Sequence, residues 1–413
     1  MKILLVYPLF PKSFWSFAYA LEIHGRKALL PPLGLITVAA MLPAAWEKRL
    51  VDMNVQTLTD EDLEWADYVF LSGMTVQRES AHEVAARAKA AGKVVVAGGP
   101  LFSGEYSLFP EVPHFVLSEG ELTIGKLVAD MEAGKLKRIY RSREYADMTT
   151  SPVPLWNLVD VNKYACMAVQ YTRGCPYDCE FCNVTALLGR APRTKKATQI
   201  VAELDAIKAT GWRGDVFFVD DNLIGNRPAL KKDLLPALIE WQKKSGPMPF
   251  TTQASINLAD DAKLTEQMTE AGFDTVFVGI ETSDPEALKE CNKKQNRNRS
   301  LVDDVHKLQA AGIEVQAGFI VGFDHDTEAS FKQQADFIQA SGIVTAMVGM
   351  LNAPPGTRLV QRMWQEGRLH GQSTGNNTDG TTNIIPKMGL ENLRNGYLRL
   401  LNDIYSPKPA YTR

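Results

Sequence analysis

The stretch Tyr171-Thr-Arg-Gly-Cys175-Pro-Tyr-Asp-Cys179-Glu-Phe-Cys182-Asn183 carries three of the five cysteines of this 413-residue chain. They fall within eight residues in the spacing C-x3-C-x2-C. Thiolates are soft ligands that suit iron–sulfur clusters and zinc. Three cysteines on one loop can bind three irons of a cubane and leave the remaining iron open for chemistry. We therefore predict a [4Fe-4S] cluster held by Cys175, Cys179 and Cys182, the metal-binding and catalytic residues of the chain.

A structural zinc site is the alternative that the same residues leave open. Such a site needs a fourth ligand, and Cys166 is the nearest thiol, although it precedes the loop. A disulfide framework would need paired, dispersed cysteines and an oxidising compartment. The tight triplet instead suits metal binding in a reducing cytoplasm, where we expect the protein to reside.

Around the cysteine loop, apolar strands alternate with helices. Gly211, Gly272 and Gly312 stand just past three predicted helices (198–209, 262–271 and 300–311), as expected for helix C-termini. Six β/α units of this kind predict a TIM-like barrel that is not fully closed. The predicted strands of the barrel are 168–171, 215–219, 249–253, 275–278, 314–319 and 346–350.

The region before the loop predicts a separate parallel sheet covered by helices on both faces. Its predicted strands are 2–7, 49–53, 68–72, 93–97 and 114–117, and one helix covers 80–91. Ligands of open α/β sheets bind at the carboxyl ends of strands. Those ends carry Ser72-Gly-Met, Gly98-Gly99-Pro and Glu119-Gly-Glu, which indicate a ligand site, although the glycines could simply form tight turns.

Composition limits the partners. The formal net charge is −3, from 45 Lys+Arg against 48 Asp+Glu, so no global basic field favours nucleic acid. No apolar run approaches the ~18 residues of a membrane span, and the first apolar run is too short for a signal peptide. We expect no nucleic-acid partner and no transmembrane segment. The segment 141–163, with Pro152 and Pro154, is the predicted domain boundary.

The cysteine loop resembles the signature of radical S-adenosylmethionine (SAM) enzymes, and the chain is similar to the cobalamin-binding branch of that superfamily, in particular to hopanoid C-methylases. The resemblance extends from the front domain to Tyr405-Ser-Pro-Lys408. It implies an α/β fold with an N-terminal Rossmann-like, cobalamin-binding-type domain (1–145), a partial TIM-barrel radical SAM domain (150–358) and a short C-terminal α-rich extension (359–413). In relatives we expect this extension to run beyond Arg413.

The family implies that SAM binds the open iron and that one electron cleaves a carbon–sulfur bond to release an organic radical. By resemblance, Phe181 packs on adenine, and the group after the second strand, Asp220, Asp221 and Asn222, contacts the SAM amino group. Residues after the third and fourth strands, Gln253, Ser255 and Glu281, bind the ribose and carboxylate of SAM. The two glycines Gly318 and Gly322 lie near the adenine.

Structural roles remain open for these residues. Phe181 could cap the core of its own loop, Asp221 or Asn222 could cap a helix, and either glycine could mark a bulge. Glu281 is the strongest candidate, because a carboxylate after an apolar strand is costly to bury unless it has a partner.

The resemblance also implies cobalamin, although the Asp-x-His-x-x-Gly motif of other cobalamin proteins is missing. Turn and cap chemistry is the alternative role for the candidate contacts, which all stand at strand ends. They are Asp52, Asn54, Ser72, Thr75, Gln77, Gly98, Gly99 and Glu119.

The function implied is cobalamin-dependent C-methylation of an unactivated carbon in a small-molecule or lipid-like substrate. An electron donor such as flavodoxin or ferredoxin is the implied partner. One alternative is transfer of the 3-amino-3-carboxypropyl group of SAM to trivalent arsenic, as in the arsinothricin-forming relative, since fold does not fix function. Another is a non-catalytic corrinoid- or metal-binding module. Radical chemistry without cobalamin is a further possibility.

Overall fold

In the computed structural model, which describes residues 1–413 apart from the side chain of Trp15, short apolar runs form the first sheet. Its six parallel strands lie in the order β2-β1-β3-β4-β5-β6. The order 2-1-3-4-5 is that of flavodoxin-like doubly wound sheets, which bind ligands where the strand order reverses. The strands are β1 Lys2–Tyr7, β2 Glu47–Asp52, β3 Tyr68–Ser72, β4 Val94–Gly98, β5 His114–Val116 and β6 Ile139–Tyr140.

The later strands continue the α/β pattern. Strands β7 Met167–Val169 and β8 Thr172–Arg173 lead into the cysteine loop, and β9 Arg193–Thr194 follows it. Five further strands are parallel neighbours in the order β14-β13-β12-β11-β10. They are β10 Val216–Phe218, β11 Phe250–Gln253, β12 Phe273–Glu281, β13 Glu314–Val321 and β14 Ala346–Met350.

Helices separate most of the strands, and all but α7, α9 and α17 have buried residues. Gly211, Gly272 and Gly312 have φ of +91°, +101° and +88° just past α8, α11 and α13, as predicted. The helices are α1 Ala18–Ile23, α2 Leu33–Met41, α3 Asp60–Trp65, α4 Arg78–Ala90, α5 Pro100–Glu105, α6 Gly120–Glu132, α7 Val184–Leu188, α8 Ala197–Ala209, α9 Arg227–Ala229, α10 Leu235–Ser245, α11 Ala262–Glu270, α12 Pro285–Glu290, α13 Leu301–Ala310, α14 Glu328–Ser341, α15 Arg358–Gln365, α16 Leu390–Tyr405 and α17 Pro407–Thr412.

The chain forms two compact units, Met1–Val169 with Thr194–Asp215, and Gln170–Arg193 with Val216–Arg413. The α/β fold class is confirmed, and every predicted strand and helix is present with its ends shifted by at most three residues. The division into three domains stays a prediction. Among the described residues, no helix combines the length and apolar character needed to cross a bilayer.

Candidate active site

The cysteine loop has a tightly packed start. Gly174, just before Cys175, has φ +90°, and a Cβ there would lie 2.8 Å from the carbonyl oxygen of Ala191. The backbone N–H of Cys175 donates to the carbonyl of Gly189 at 3.2 Å. Only glycine suits a left-handed position with so little space, so Gly174 fixes the direction in which the loop leaves the barrel.

The three thiols lie in a partly enclosed site. Cys179 is buried, while Cys175 and Cys182 are half-buried. Burial raises the pKa of the Cys175 thiol and raises that of Cys182 to about 12, although the nearby Lys293 ammonium opposes both shifts. Because iron binds the thiolate, loading the site must release protons.

A cavity of about 180 Å³ adjoins Cys179 and Cys182. Among the described residues, no three His, Cys, Asp or Glu side chains are placed to hold one metal ion. In a cubane each thiolate binds a different iron, so the sulfurs need not converge on one point. The soft thiols and the cavity beside them therefore fit an iron–sulfur cluster.

Glu281 has the partner that its burial requires. Its Oε1 lies 2.5 Å from Nζ of Lys293, and both side chains are about 10% exposed. Burial alone would lower the pKa of Lys293, but the adjacent carboxylate raises it above its ordinary value. The strand β12 extends three residues beyond the predicted end at Val278, so Glu281 is its last residue rather than a residue after it, which corrects the predicted strand end. Its buried carboxylate is thus neutralised within the chain.

The backbone around Glu281 is unusual. Glu281 has φ +65°, and the pairing of β12 with β13 shifts register between Gly279 and Glu281. A Cβ at Gly279 would clash with Oε1 of Glu281 and lie 2.7 Å from Nζ of Lys293. Gly279 is therefore required for the ion pair. Strained backbone of this kind concentrates at functional sites.

Sequence reasoning missed the segment that supplies Lys293. Its Nζ lies 5.9 Å from the ring centroid of Phe181, and Nε2 of Gln295 lies 3.7 Å from Sγ of Cys179. Nδ2 of Asn296 donates to the carbonyls of Gly279 and Ile280 at 3.0 and 2.9 Å. In the sequence this segment is only a polar run after α12, and its residues have no diagnostic spacing. The fold alone shows that the segment faces the cysteine loop.

The three residues after β10 have different roles. Asp220 accepts from the backbone N–H groups of Tyr171 and Thr172, and burial raises its pKa to about 7. Asn222 precedes a 3₁₀ turn, but its side chain makes no cap bond and instead accepts from Ser255 N at 3.1 Å. The capping alternative for Asn222 is therefore wrong.

Asp221 keeps one buried oxygen available. Among the described residues its Oδ2 has no hydrogen-bond partner, and burial raises the pKa of the carboxyl to about 6. An unpaired buried oxygen costs free energy unless a ligand or water satisfies it. Asp221 thus fits the role of accepting from a cationic amino group.

Several of the remaining residues predicted to bind SAM also contact other residues of the chain. Gln253 ends β11, and Oγ of Ser255 lies 2.7 Å from Oδ1 of Asn257. Phe181 packs against an apolar cluster that includes Cys291 and Leu359 and is built by elements outside the cysteine loop. A Cβ at Gly318 would lie 3.1 Å from the Phe277 ring.

Gly322 is also closely packed. It has φ +106°, and an added Cβ would lie 3.0 Å from Leu393. Contacts of Phe181, Gly318 and Gly322 with SAM stay predictions.

In the first unit, several cobalamin candidates hold the loop after β1. Asn54 accepts from Phe10 N at 2.8 Å, and both Asn54 and Gln77 donate to the carbonyl of Pro8. Asp52 is buried and accepts from Asn54 and from the Tyr164 hydroxyl at 2.9 Å. These side chains shape the edge where the strand order reverses.

The other candidates lie at neighbouring strand ends. A Cβ at Gly99, whose φ is +89°, would lie 2.5 Å from Oγ of Ser72, and one at Gly98 would lie 3.1 Å from the carbonyl of Val116. Oε2 of Glu119 accepts from the backbone of Ala146 at 2.8 Å. Thr75 begins a 3₁₀ turn after β3. Gly98 and Gly99 carry no side chain at the carboxyl end of β4. The absence of bulky side chains at this edge of the sheet fits the approach of a large planar ligand.

Comparison with known proteins gives the class. Residues 169–338 match the Radical SAM superfamily, residues 24–128 match the B12 binding domain, and residues 357–413 match a domain of unknown function, DUF4070. A solved structure of the cobalamin-dependent radical SAM enzyme OxsB with aqua-cobalamin shares the fold, with TM-score 0.70 and 17% identity over 91% of this chain and 63% of that chain. TsrM from Kitasatospora setae, with tryptophan and a SAM analogue bound, gives TM-score 0.67 at 16% identity over 90% of this chain and 77% of that chain.

Two relatives identify the family. An uncharacterized methyltransferase of Synechocystis is 44% identical over 98% of this chain and 76% of its own length. The Hopanoid C-2 methylase of Rhodopseudomonas palustris is 40% identical over 92% of this chain and 73% of its own length. The chain belongs to the cobalamin-binding radical SAM family that includes these methyltransferases. It is an enzyme, and the predicted cofactors, a [4Fe-4S] cluster, SAM and cobalamin, are confirmed at the level of the family.

Proposed function

We propose that the protein is a cobalamin-dependent C-methyltransferase that acts on an unactivated carbon of a lipid-like molecule, with a hopanoid as the first substrate to test. The 40% identity to a Hopanoid C-2 methylase, over 92% of the chain, carries this proposal. When bound, the cluster and SAM supply a carbon-centred radical, and cobalamin supplies the methyl group. The reductive cleavage of SAM also needs an electron from an external one-electron donor such as flavodoxin or ferredoxin.

Different residues of the second unit are assigned to the cluster and to SAM. Cys175, Cys179 and Cys182 bind three irons. Oδ2 of Asp221, which has no partner within the described chain, accepts from the amino group of SAM. Glu281 would bind SAM through Oε2, because Oε1 is engaged by Lys293.

Polar groups beside Asp221 extend this surface. Ser255 is bonded to Asn222, and Gln253 ends the adjacent strand, so both fit contacts to the ribose. Asn222 is buried while Ser255 and Gln253 are half-buried, so this surface is partly shielded from water, which would protect a reactive radical from side reactions.

Cobalamin is assigned to the carboxyl edge of the first sheet. Ser72, Gly98, Gly99 and Glu119 line the strand ends, while Asp52, Asn54 and Gln77 fix the loop after β1. Ligands of doubly wound sheets bind at this edge.

The comparisons favour methyl transfer over transfer of an aminocarboxypropyl group to arsenic, because the relatives at 44% and 40% identity are methyltransferases. A non-catalytic binding module has no comparable support.

The test is anaerobic turnover of the reconstituted protein with SAM, hydroxocobalamin, a strong reductant and a hopanoid. We expect 5′-deoxyadenosine, S-adenosylhomocysteine and a methylated hopanoid, identified by mass spectrometry. Cys179→Ala should abolish all three products, whereas the matched control Cys166→Ala, outside the loop, should keep them. Methylthioadenosine as the SAM product would contradict methyl transfer. The two expected SAM products without a methylated hopanoid would contradict this substrate.

A further inference from the structure

The C-terminal extension, defined by the matched segment 357–413 that includes all of α15, contacts the backbone of the cysteine loop directly. The carbonyl of Asp178 accepts from Nη2 of Arg358 at 2.7 Å, and that of Glu180 accepts from the backbone N–H of Leu359 at 3.1 Å. These two carbonyls flank Cys179 on either side. The first turn of α15 therefore fixes the peptide units around the central thiol.

Arg362, one turn further along α15, adds a side-chain contact. Its Nε and Nη2 bond the two carboxylate oxygens of Glu180 at 2.8 and 2.9 Å. The same guanidinium bonds Asp324 at 2.8 Å and Glu290 at 3.1 Å. All three carboxylates are less than 15% exposed. A planar guanidinium suits such two-point recognition, and a lysine cannot reproduce it.

Arg362 is itself held in place. Asp324 also accepts two bonds from Arg368, at 2.6 and 2.9 Å, and lies 3.1 Å from Nζ of Lys387. Three cations thus face three buried carboxylates. All three cations come from the segment 357–413, the part that matches a domain of unknown function.

We propose that this extension clamps the cysteine loop in its cluster-binding geometry, with Arg362 as the central positioning residue. The inference rests on the proposed function only in taking the loop as the cluster site. Without the clamp, the peptide around Cys179 is restrained only by the residues after α12, since the carbonyl of Asp178 still accepts from Nδ2 of Asn292 at 2.8 Å and the N–H of Glu180 still donates to the carbonyl of Cys291 at 2.9 Å. The thiols then sample geometries that cannot bind three corners of one cubane.

Hydrogen–deuterium exchange of the cofactor-free protein tests the clamp. Arg362→Gln should speed amide exchange in a peptide covering 175–183 by about tenfold and leave peptides from β12 and β13 unchanged. Arg362→Lys should recover only part of the protection. Arg399→Gln is the matched control, since its pair with Glu328 is exposed on the same extension and should leave exchange unchanged.

After anaerobic reconstitution, iron and sulfide per chain should fall in Arg362→Gln and stay normal in Arg399→Gln. The reduced-cluster electron paramagnetic resonance signal should broaden in Arg362→Lys. Unchanged exchange in the 175–183 peptide, or an equal rise throughout the second unit, would overturn the clamp. If Arg362→Gln does not fold, Arg358→Gln provides the test, because it removes only the bond to Asp178 and should raise exchange less. Failure of the product assay above would leave the exchange result unaffected.

Discussion

Glu281 combines a left-handed backbone conformation with a side chain that pairs with the buried Lys293. Non-glycine residues at φ near +60° cost of order 1–3 kcal/mol and persist only where their surroundings hold them. At Glu281 the holding contacts are the 2.5 Å ion pair with Lys293 and the space left by Gly279. A buried ion pair adds little net stability, but removing one partner leaves an uncompensated charge.

Lys293→Met should therefore destabilise the protein by about 3–5 kcal/mol, because Glu281 would stay buried without its cation. Urea unfolding of the cofactor-free protein measures the loss. The double variant Glu281→Gln/Lys293→Met should recover most of it. Wild-type stability in the single variant would show that Glu281 finds water or another donor.

Asp326 predicts a specific pH dependence. Its buried carboxylate accepts from the backbone N–H of Gly322 at 2.7 Å and of Phe323 at 3.1 Å, yet burial raises its pKa from the ordinary 3.8 to about 6. Between those pH values the folded state binds more protons than the unfolded state. The free energy of unfolding contributed by this group is thus fully present below pH 3.8 and falls as pH rises through about 6.

Asp326→Asn should remove that dependence. Relative to the wild type, the variant should gain up to about 3 kcal/mol in free energy of unfolding between pH 4 and pH 7. Urea unfolding at both pH values measures the gain. A difference between the two proteins that does not change with pH would contradict the assignment.

At the scale of elements, α14 and α16 pack closely because of one glycine. A Cβ at Gly396 of α16 would overlap the ring of Phe331 on α14. Gly396→Ala should therefore cost about 1–3 kcal/mol through overpacking, measured by urea unfolding.

Gly125→Ala in α6 is the matched control. Nothing lies within 4 Å of its added Cβ, so the change should stabilise by about 0.5–1 kcal/mol through helix propensity. A stabilising effect at Gly396 would show that the two helices separate at little cost.

The elements themselves were predictable, and the reason is hydrophobic patterning. Buried strands such as β1 and β14 read as continuous apolar runs bounded by turn residues, and glycines marked the ends of α8, α11 and α13. The end of β12 was missed because Gly279 interrupts the apolar run. The strand nevertheless continues to Glu281, because it stays paired with β13.

Long-range contacts were less accessible to sequence reasoning. Spacing identified the thiols, and burial cost predicted a partner for Glu281. Nothing in the sequence named Lys293 as that partner, because it lies twelve positions later, beyond a helix. Arg362 was missed for the same reason, since its partner Glu180 lies 182 residues earlier.

For the whole molecule, the two cofactor assignments fall in different compact units. The cluster thiols lie in the second unit, and the cobalamin candidates lie in the first. Replacing all three loop cysteines by alanine should therefore remove iron without removing cobalamin. Iron analysis and the absorption spectrum after incubation with hydroxocobalamin measure both. Loss of cobalamin together with iron would show that the first unit does not bind it independently.

The bond between Arg358 and Asp178 joins residues 180 positions apart. During translation at about 5–20 residues per second, the thiols leave the ribosome roughly 10 to 40 s before α15 does. A nascent chain in that interval presents the cysteine loop without the contacts from α15. The restraint that this helix gives the loop becomes available only after residues 358–365 have left the ribosome.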